Sequence, residues 1–513
     1  MSFQPSNLFR WTGTVNRLPY FLAGVTLLVV KFAMDWVIAR LIFERDWTLS
    51  NYLAAPTNTL RVFTLADPDR VFLGTLLVLA LPFIFIGIAL TVQRLRAAGL
   101  SVGLAVFFFV PVANLFFFVI LCLLPNRPAP TTRRPVIEPV REESSEGIQR
   151  LPGYVGEVST GIEHLPAHPA SGDPDIDPVF RTMMGPERFA RFRAAHRRIT
   201  KGEPWPSAAV ALLISVPVAL VFVYTSVHGL RNYGWGLFVG MPFCLGFGSV
   251  VLYGLARPQG FAACMGIAFL ATTLVGVAML FAAMEGFICL LMAAPIGYFL
   301  TFVGAVVGYA IQSRPWSNHH SPFLLLALML TLPSLMGAEA LAQPEPPLLE
   351  VRTVIDIDAP PEKVWQHVVS FPPLPEPEEW FFRAGIAYPI RAEIHGHGPG
   401  AVRHCIFSTG AFVEPIEVWD EPYLLRFRVT EQPCPMVEWS PFDIHPPHLD
   451  HYLVSRRGQF HLIPLPGGRT RLEGTTWYTN HMWPAAYWQL WSDPIIHQIH
   501  QRVLEHIKRQ VEK

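Results

Sequence analysis

The sequence predicts a multi-span α-helical membrane region followed by an α+β domain. Three observations carry that prediction. Charged residues make up 15% of the 513, against about 25% in soluble domains, and mean hydropathy is +0.34. Apolar runs of spanning length crowd the first two thirds of the chain and cease before Pro346. Beyond that point, alternating polar and apolar segments separated by Pro and Gly read as strands. A chain this long holds more than one unit. Its formal net charge of +0 argues against a nucleic-acid partner.

A helix needs roughly 20 apolar residues to cross a hydrocarbon core about 30 Å thick. Eight candidates stand at residues 20–42, 71–92, 103–124, 207–227, 234–255, 262–283, 286–311 and 321–336. The first carries Lys31 and Asp35, four apart and able to pair on one helical face. The expected units are a three-span module (1–126), a polar linker (127–204), a five-span region (205–338), a short linker (339–348) and the α+β domain (349–513). The long linker's "NRPAPTTRRPVIEPVREESSEG" is too poor in apolar residues to offset its ordering entropy and is expected to be disordered. It ends in "GPERFARFRAAHRRITKG", a short basic amphipathic helix suited to anionic lipid headgroups.

In the last unit, "EVRTVIDID", "AVRHCIFST", "YLLRFRV", "GQFHLIPL" and "RTRLEGTTWY" have the period-2 pattern of strands. A helix begins in "APPEKVWQHV". A second closes the chain, with Asp493 expected as its N-cap and Pro494 in its first turn. Ile495, Ile499, Val503 and Ile507 recur every four residues and make one apolar stripe along it.

Two stretches, "LFRWTGTVNRLPYFLAG" and "VQRLRAAGLSVGLAVFFFVPVANLFFFVILCLLP", resemble the bacterial membrane family called domain of unknown function 805. Arg96-Ala97 and Val102-Gly103 stand where that family usually has His-Asp and Gly-Trp. The resemblance covers about a quarter of the chain and implies an inner-membrane location, with no activity attached. "VRTVIDIDAPPEKVWQHVVSF" and "GGRTRLEGTTWY" resemble the opening and the last hairpin of the START-like, polyketide-cyclase-type superfamily (SRPBCC). That resemblance implies a helix-grip fold, a curved antiparallel sheet wrapped around the closing helix over an apolar cavity. It also implies binding or transfer of a lipid or other apolar small molecule, or cyclase or dehydratase chemistry.

Alternation along the strands puts Leu472, Gly474, Thr476 and Tyr478 on one face. Phe460 and Leu462, and Leu425, Phe427 and Val429, offer the same face on neighbouring strands, and Ile499 and Val503 face them from the helix. These are the candidate cavity residues. His404, His461 and Tyr478 are candidate polar groups within it. Neither a Gly-x-Ser-x-Gly elbow nor a P-loop is present, and no cofactor is expected. His445, His448 and His451 lie close together in a Pro-rich loop and are weak metal candidates only. Cys122, Cys244, Cys264 and Cys289 lie in apolar runs and read as small buried hydrophobes. Cys405 and Cys434 could pair if the domain meets oxidising conditions. The expected partners are membrane lipids and an apolar small molecule, and the oligomeric state is not legible.

The rule that Lys and Arg favour the cytoplasmic side makes the basic linker end internal. The last five spans then leave everything after Gln343 in the periplasm of a bacterial inner membrane, with only Arg231 dissenting. Arg10, Arg17, Arg94 and Arg96 also prefer the inside, which three full crossings before the linker do not allow. Either "FFFVPVANLFFF", broken at Pro111, fails to cross, or all eight segments cross and the last domain is cytoplasmic.

Overall fold

The computed structural model describes residues 12–48, 51–52, 67–127, 203–314 and 321–513. The basic helix expected at the linker's end, and nearly all of the linker, lie outside the described residues. Among those described, seven helices are long and apolar enough to cross a membrane.

The first is α1 (Arg17–Ile42) and the second α2 (Asp67–Ala97). Lys31 pairs with Asp35 as its spacing allows, and Tyr52 donates to the same carboxylate oxygen. The third candidate span is not one helix. A 3₁₀ segment (Val102–Phe109) breaks at Pro111, Val112 takes a positive φ of 63°, and α3 (Ala113–Leu123) runs back. Pro111 cannot continue a hydrogen-bonded ladder, and the short 3₁₀ piece ends there.

Both ends of this hairpin lie on one side. The Arg127 amide donates to the carbonyl of Ala97, where α2 ends, at 2.7 Å. The buried guanidinium of Arg94 donates to the carbonyls of Leu121 (2.8 Å) and Leu124, and to Asn126 Oδ1 (2.7 Å). Those orphan carbonyls end α3, so Arg94 closes the hairpin as a C-cap. Gly24 of α1 and Gly87 of α2 admit its rings: a Cβ at either would stand 2.5 Å from Phe118 or 2.7 Å from Phe108.

The larger bundle is α4 (Pro204–Tyr224), α5 (Met241–Tyr253), α6 (Phe261–Phe281), α7 (Phe287–Gln312) and α8 (Ser321–Ala342). Single π-type turns, Thr225–Gly229 and Gly236–Gly240, extend α4 and precede α5. Glu339 of α8 accepts from the amides of Trp235 (2.9 Å) and Gly236 (3.0 Å), so a buried carboxylate satisfies the orphan donors opening that turn.

The last unit is a seven-stranded antiparallel sheet in the order β1-β7-β6-β5-β4-β3-β2. Its strands are β1 (Leu349–Ile357), β2 (Pro389–His395), β3 (Val402–Phe407), β4 (Gly410–Asp420), β5 (Leu424–Arg428), β6 (Leu453–Leu465) and β7 (Arg469–Asn480). The first and last strands pair at one edge of the sheet, Leu349 opposite Tyr478 through Ile357 opposite Thr470. Two short helices, α9 (Pro361–Val369) and α10 (Trp380–Arg383), follow β1. The long α11 (Ala485–Val511) lies in the grip of the sheet. This is the helix-grip arrangement.

α11 starts eight residues before Asp493, and Pro494 sits inside it. Asp493 therefore does not cap the helix. Its carboxylate accepts from Tyr478 Oη (2.5 Å) and Gln489 Nε2 (2.7 Å). The apolar stripe divides along its length. Val503, Leu504 and Ile507 pack with Val364, Trp365 and Val368 of α9 and with Leu425, Leu462 and Leu472 of the sheet. Ile495, Ile496 and Ile499, nearer the helix start, face open space.

Candidate functional site

The sheet domain docks on the end of the bundle through polar contacts to exposed helix termini. The Glu438 carboxylate, from the loop between β5 and β6, accepts from the amides of Ile288 (3.1 Å) and Cys289 (3.2 Å) in the first turn of α7. The Phe287 amide donates to Trp439 O at 2.9 Å, and their rings stack at 6.3 Å. A helix N-terminus attracts a carboxylate through its free amides and its dipole. The Trp483 amide donates to Tyr233 O (2.9 Å), and Tyr452 Oη donates to Arg231 O (2.5 Å). Arg231, the dissenter from the charge rule, thus lies against the sheet domain.

Docking forms a part-open cavity of about 420 Å³ that belongs to neither half alone. The bundle lends Val275, Gly276, Met279 and Leu290; the domain lends Phe412, Met436, Trp488 and Ile496. Phe238 of the bundle meets Trp488 of α11 edge to face at 4.8 Å. A second cavity of about 120 Å³ lies deeper under the sheet, and the two share Phe407, Phe412, Ser455, Ile496 and Ile499 in their walls. Mostly apolar walls with a few convergent polar groups are the usual form of a small-molecule site.

The polar groups gather where α7 begins. Tyr233 Oη donates to Glu285 Oε1 at 2.9 Å. Burial and the neighbouring carboxylate push the Tyr233 phenol far above its usual range, which keeps the donor proton in place. His448 stands edge-on to Tyr233, ring centroids 5.1 Å apart. Its Nδ1 is 3.4 Å from Glu285 Oε2, and its Nε2 is 2.8 Å from Cys289 Sγ.

In the smaller cavity, Arg403 pairs with Glu414 directly across β3 and β4, and its guanidinium lies 5.5 Å from the ring centres of Phe371, Phe427 and Phe460. Burial works against both charges, and Glu414 and Cys405 together offset it at Arg403, which stays a cation. Cys405 lines the same cavity, and burial pushes its thiol up to about 12.

The candidate cavity residues fall into two groups. Phe427, Val429, Phe460, Thr476, Ile499 and Val503 line the smaller cavity, and Ile499 also faces the larger one. Leu425, Leu462 and Leu472 point to the same side of the sheet but are packed solid against α9 and α11. Tyr478 is buried too, its hydroxyl bonded to Ser492 (2.7 Å) and Asp493. His404 and His461 lie on the opposite face of the sheet: their strand neighbours Arg403, Cys405 and Phe460 line the cavity. His461 is half-exposed, 3.9 Å from Glu473. The loop histidines separate. His445 pairs with Asp450 at 2.8 Å near Cys434, whereas His448 turns inward to Glu285 and Cys289. All six cysteines are free, so Cys405 and Cys434 are not joined.

No family model matches the chain, and no curated protein matches it. Solved structures overlie its last third. A protein from Nitrosospira multiformis is 17% identical over 32% of this chain and 96% of its own, with a TM-score of 0.21. Norcoclaurine synthase from Thalictrum flavum, in complex with dopamine and hydroxybenzaldehyde, is 14% identical over 33% and 90%, TM-score 0.22. Ara h 8.0201 is 14% identical over 32% and 98%, TM-score 0.21. The fold assignment rests on the strand order and on the gripped helix, not on these values.

Proposed function

We propose that the protein holds an apolar small molecule or lipid in the shared cavity and passes it between the bilayer and the START-like domain. The observation that carries this reading is the double ownership of the walls. A ligand seated against Gly276 of α6 and Ile496 of α11 touches a membrane-spanning helix and the sheet domain at once. Tethering fixes the domain at the source of a membrane-dissolved ligand, which raises its effective concentration.

We also infer that the sheet domain lies outside a bacterial inner membrane, in the periplasm. The hairpin after α2 returns to its starting side, which supports two crossings before the linker and five after it. Arg17, Arg94 and Arg127 then share the cytoplasmic side with the linker, as the charge rule prefers.

Gly276 gives a direct test of the cavity. A Cβ there meets nothing within 4 Å, so the side chain of Gly276→Leu starts in open space at the cavity wall. The full chain in detergent should co-purify with an apolar molecule detectable by mass spectrometry and should bind a fluorescent fatty acid. Gly276→Leu should weaken that binding at least fivefold with its melting temperature unchanged. Undiminished binding in the folded variant would sink the assignment.

A further inference from the structure

We propose that Cys289, His448 and Glu285 form a thiol acyl-transfer centre that cleaves a long-chain acyl ester or thioester held in the shared cavity. This deepens the ligand-holding reading and rests on it. The three residues come from the first turn of α7, from a loop of the sheet domain and from the turn between α6 and α7, so the centre exists only in the docked molecule.

Geometry assigns the roles. The imidazole stands between the other two groups, with Nε2 2.8 Å from the thiol and Nδ1 3.4 Å from Glu285 Oε2. Neither His448 Nδ1 nor Glu285 Oε2 makes a hydrogen bond among the described residues, so their 3.4 Å approach is an electrostatic contact in which the carboxylate faces the ring without a formed hydrogen bond. A nucleophile, a base within reach and a third group that orients the base make an activated nucleophile on many folds. Tyr233 holds the far oxygen of Glu285 at 2.9 Å and fixes the carboxylate. Glu285, Cys289 and His448 all line the apolar cavity. A shared metal ion fits this arrangement less well. One ion needs a single imidazole nitrogen, whereas here the two nitrogens face the two partners separately. Thiolate and imidazole ligands on one tetrahedral zinc would also stand roughly 3.5 Å apart.

The reaction balances with water as the only co-reactant. The thiol proton passes to His448 Nε2 as sulfur attacks the acyl carbonyl carbon. A carbon–sulfur bond forms, the bond to the leaving oxygen or sulfur breaks, and the leaving group takes the proton from Nε2. A water molecule then gives a proton to Nε2 and attacks the thioester. The carbon–sulfur bond breaks, and the sulfur regains the proton. One ester and one water become one carboxylic acid and one alcohol or thiol. Cys289 and His448 are the catalytic residues, and Glu285 is a positioning residue.

The test uses the full chain in detergent with 4-nitrophenyl decanoate. A burst of one 4-nitrophenolate per chain is expected, with a hydroxylamine-labile decanoyl group on the peptide that carries Cys289. Cys289→Ala and Cys289→Ser should abolish both and still bind a fluorescent fatty acid. His448→Gln should slow acylation at least 100-fold. Glu285→Gln should slow it about tenfold through kcat with KM unchanged, and Glu285→Asp should recover most of that loss. A rise in KM of equal size in both variants would assign Glu285 a structural role only. Wild-type protein that binds the fatty acid but gains no adduct at Cys289 overturns the acyl-transfer centre and leaves the ligand reading standing. Loss of both overturns both. One zinc per chain, lost in Cys289→Ala, overturns the centre in favour of a metal site.

Discussion

His500 shows how a single buried side chain ties this domain to pH. It lines the smaller cavity, with Nε2 2.7 Å from Thr476 Oγ1 and Nδ1 3.1 Å from Thr353 Oγ1. Burial, with the neighbouring His497, lowers it to about 4. The folded chain therefore keeps the ring neutral where the unfolded chain, near 6.5, already takes up a proton. Its contribution to stability is complete above about pH 6.5. It falls by up to about 1.4 kcal/mol per pH unit as pH drops toward 4. His500→Gln should flatten the melting temperature across that window; an unchanged slope would show that other groups set it. Period-2 alternation was enough to put Phe427, Phe460 and Thr476 on the inner face. It could not say that Leu472 packs while Thr476 faces space, because that depends on where α11 stops filling the sheet. Cys289 was legible only as a buried thiol, since His448 reaches it from 159 positions away in the chain.

Among the elements, α7 has a start that is completed by the sheet domain. Its first-turn amides have no partner of their own and take both oxygens of Glu438. Glu438→Ala should cost about 0.5–2 kcal/mol, in the range of a lost helix cap. Hydrogen exchange at the Ile288 and Cys289 amides should speed up with it, and unchanged protection would mean that Trp439 alone holds the loop. The sequence showed α7 as an apolar run but carried no sign of its cap, which lies in irregular, Pro-rich sequence. The hairpin after α2 was half legible. Pro111 marked the break, but the return was fixed by Arg94, whose place on α2 says nothing of the carbonyls it would reach. β2 and β4 were missed, and α11 was started too late: Pro494 reads as a first-turn residue, yet packing holds it mid-helix.

For the whole molecule, the class was readable because hydropathy and alternation separate a bundle from a sheet. The docking was not, because its contacts are scattered polar and aromatic groups without a period. Sidedness is open to measurement. A cysteine placed in the Gly396–Gly400 turn, with Cys405 and Cys434 replaced by serine, should react in intact cells with a reagent that crosses only the outer membrane. Protection until the inner membrane is broken would place the domain in the cytoplasm. The cavity has a consequence of its own. Walls supplied by two bodies make any occupant an adhesive between them, so binding and docking share one free energy. A ligand at 100 times its Kd would hold the halves together by a further ~2.7 kcal/mol. By linkage, whatever loosens the Glu438 clasp weakens the ligand in proportion to the fraction of molecules it leaves undocked. An emptied protein is then the one prepared to let its domain swing away from the membrane.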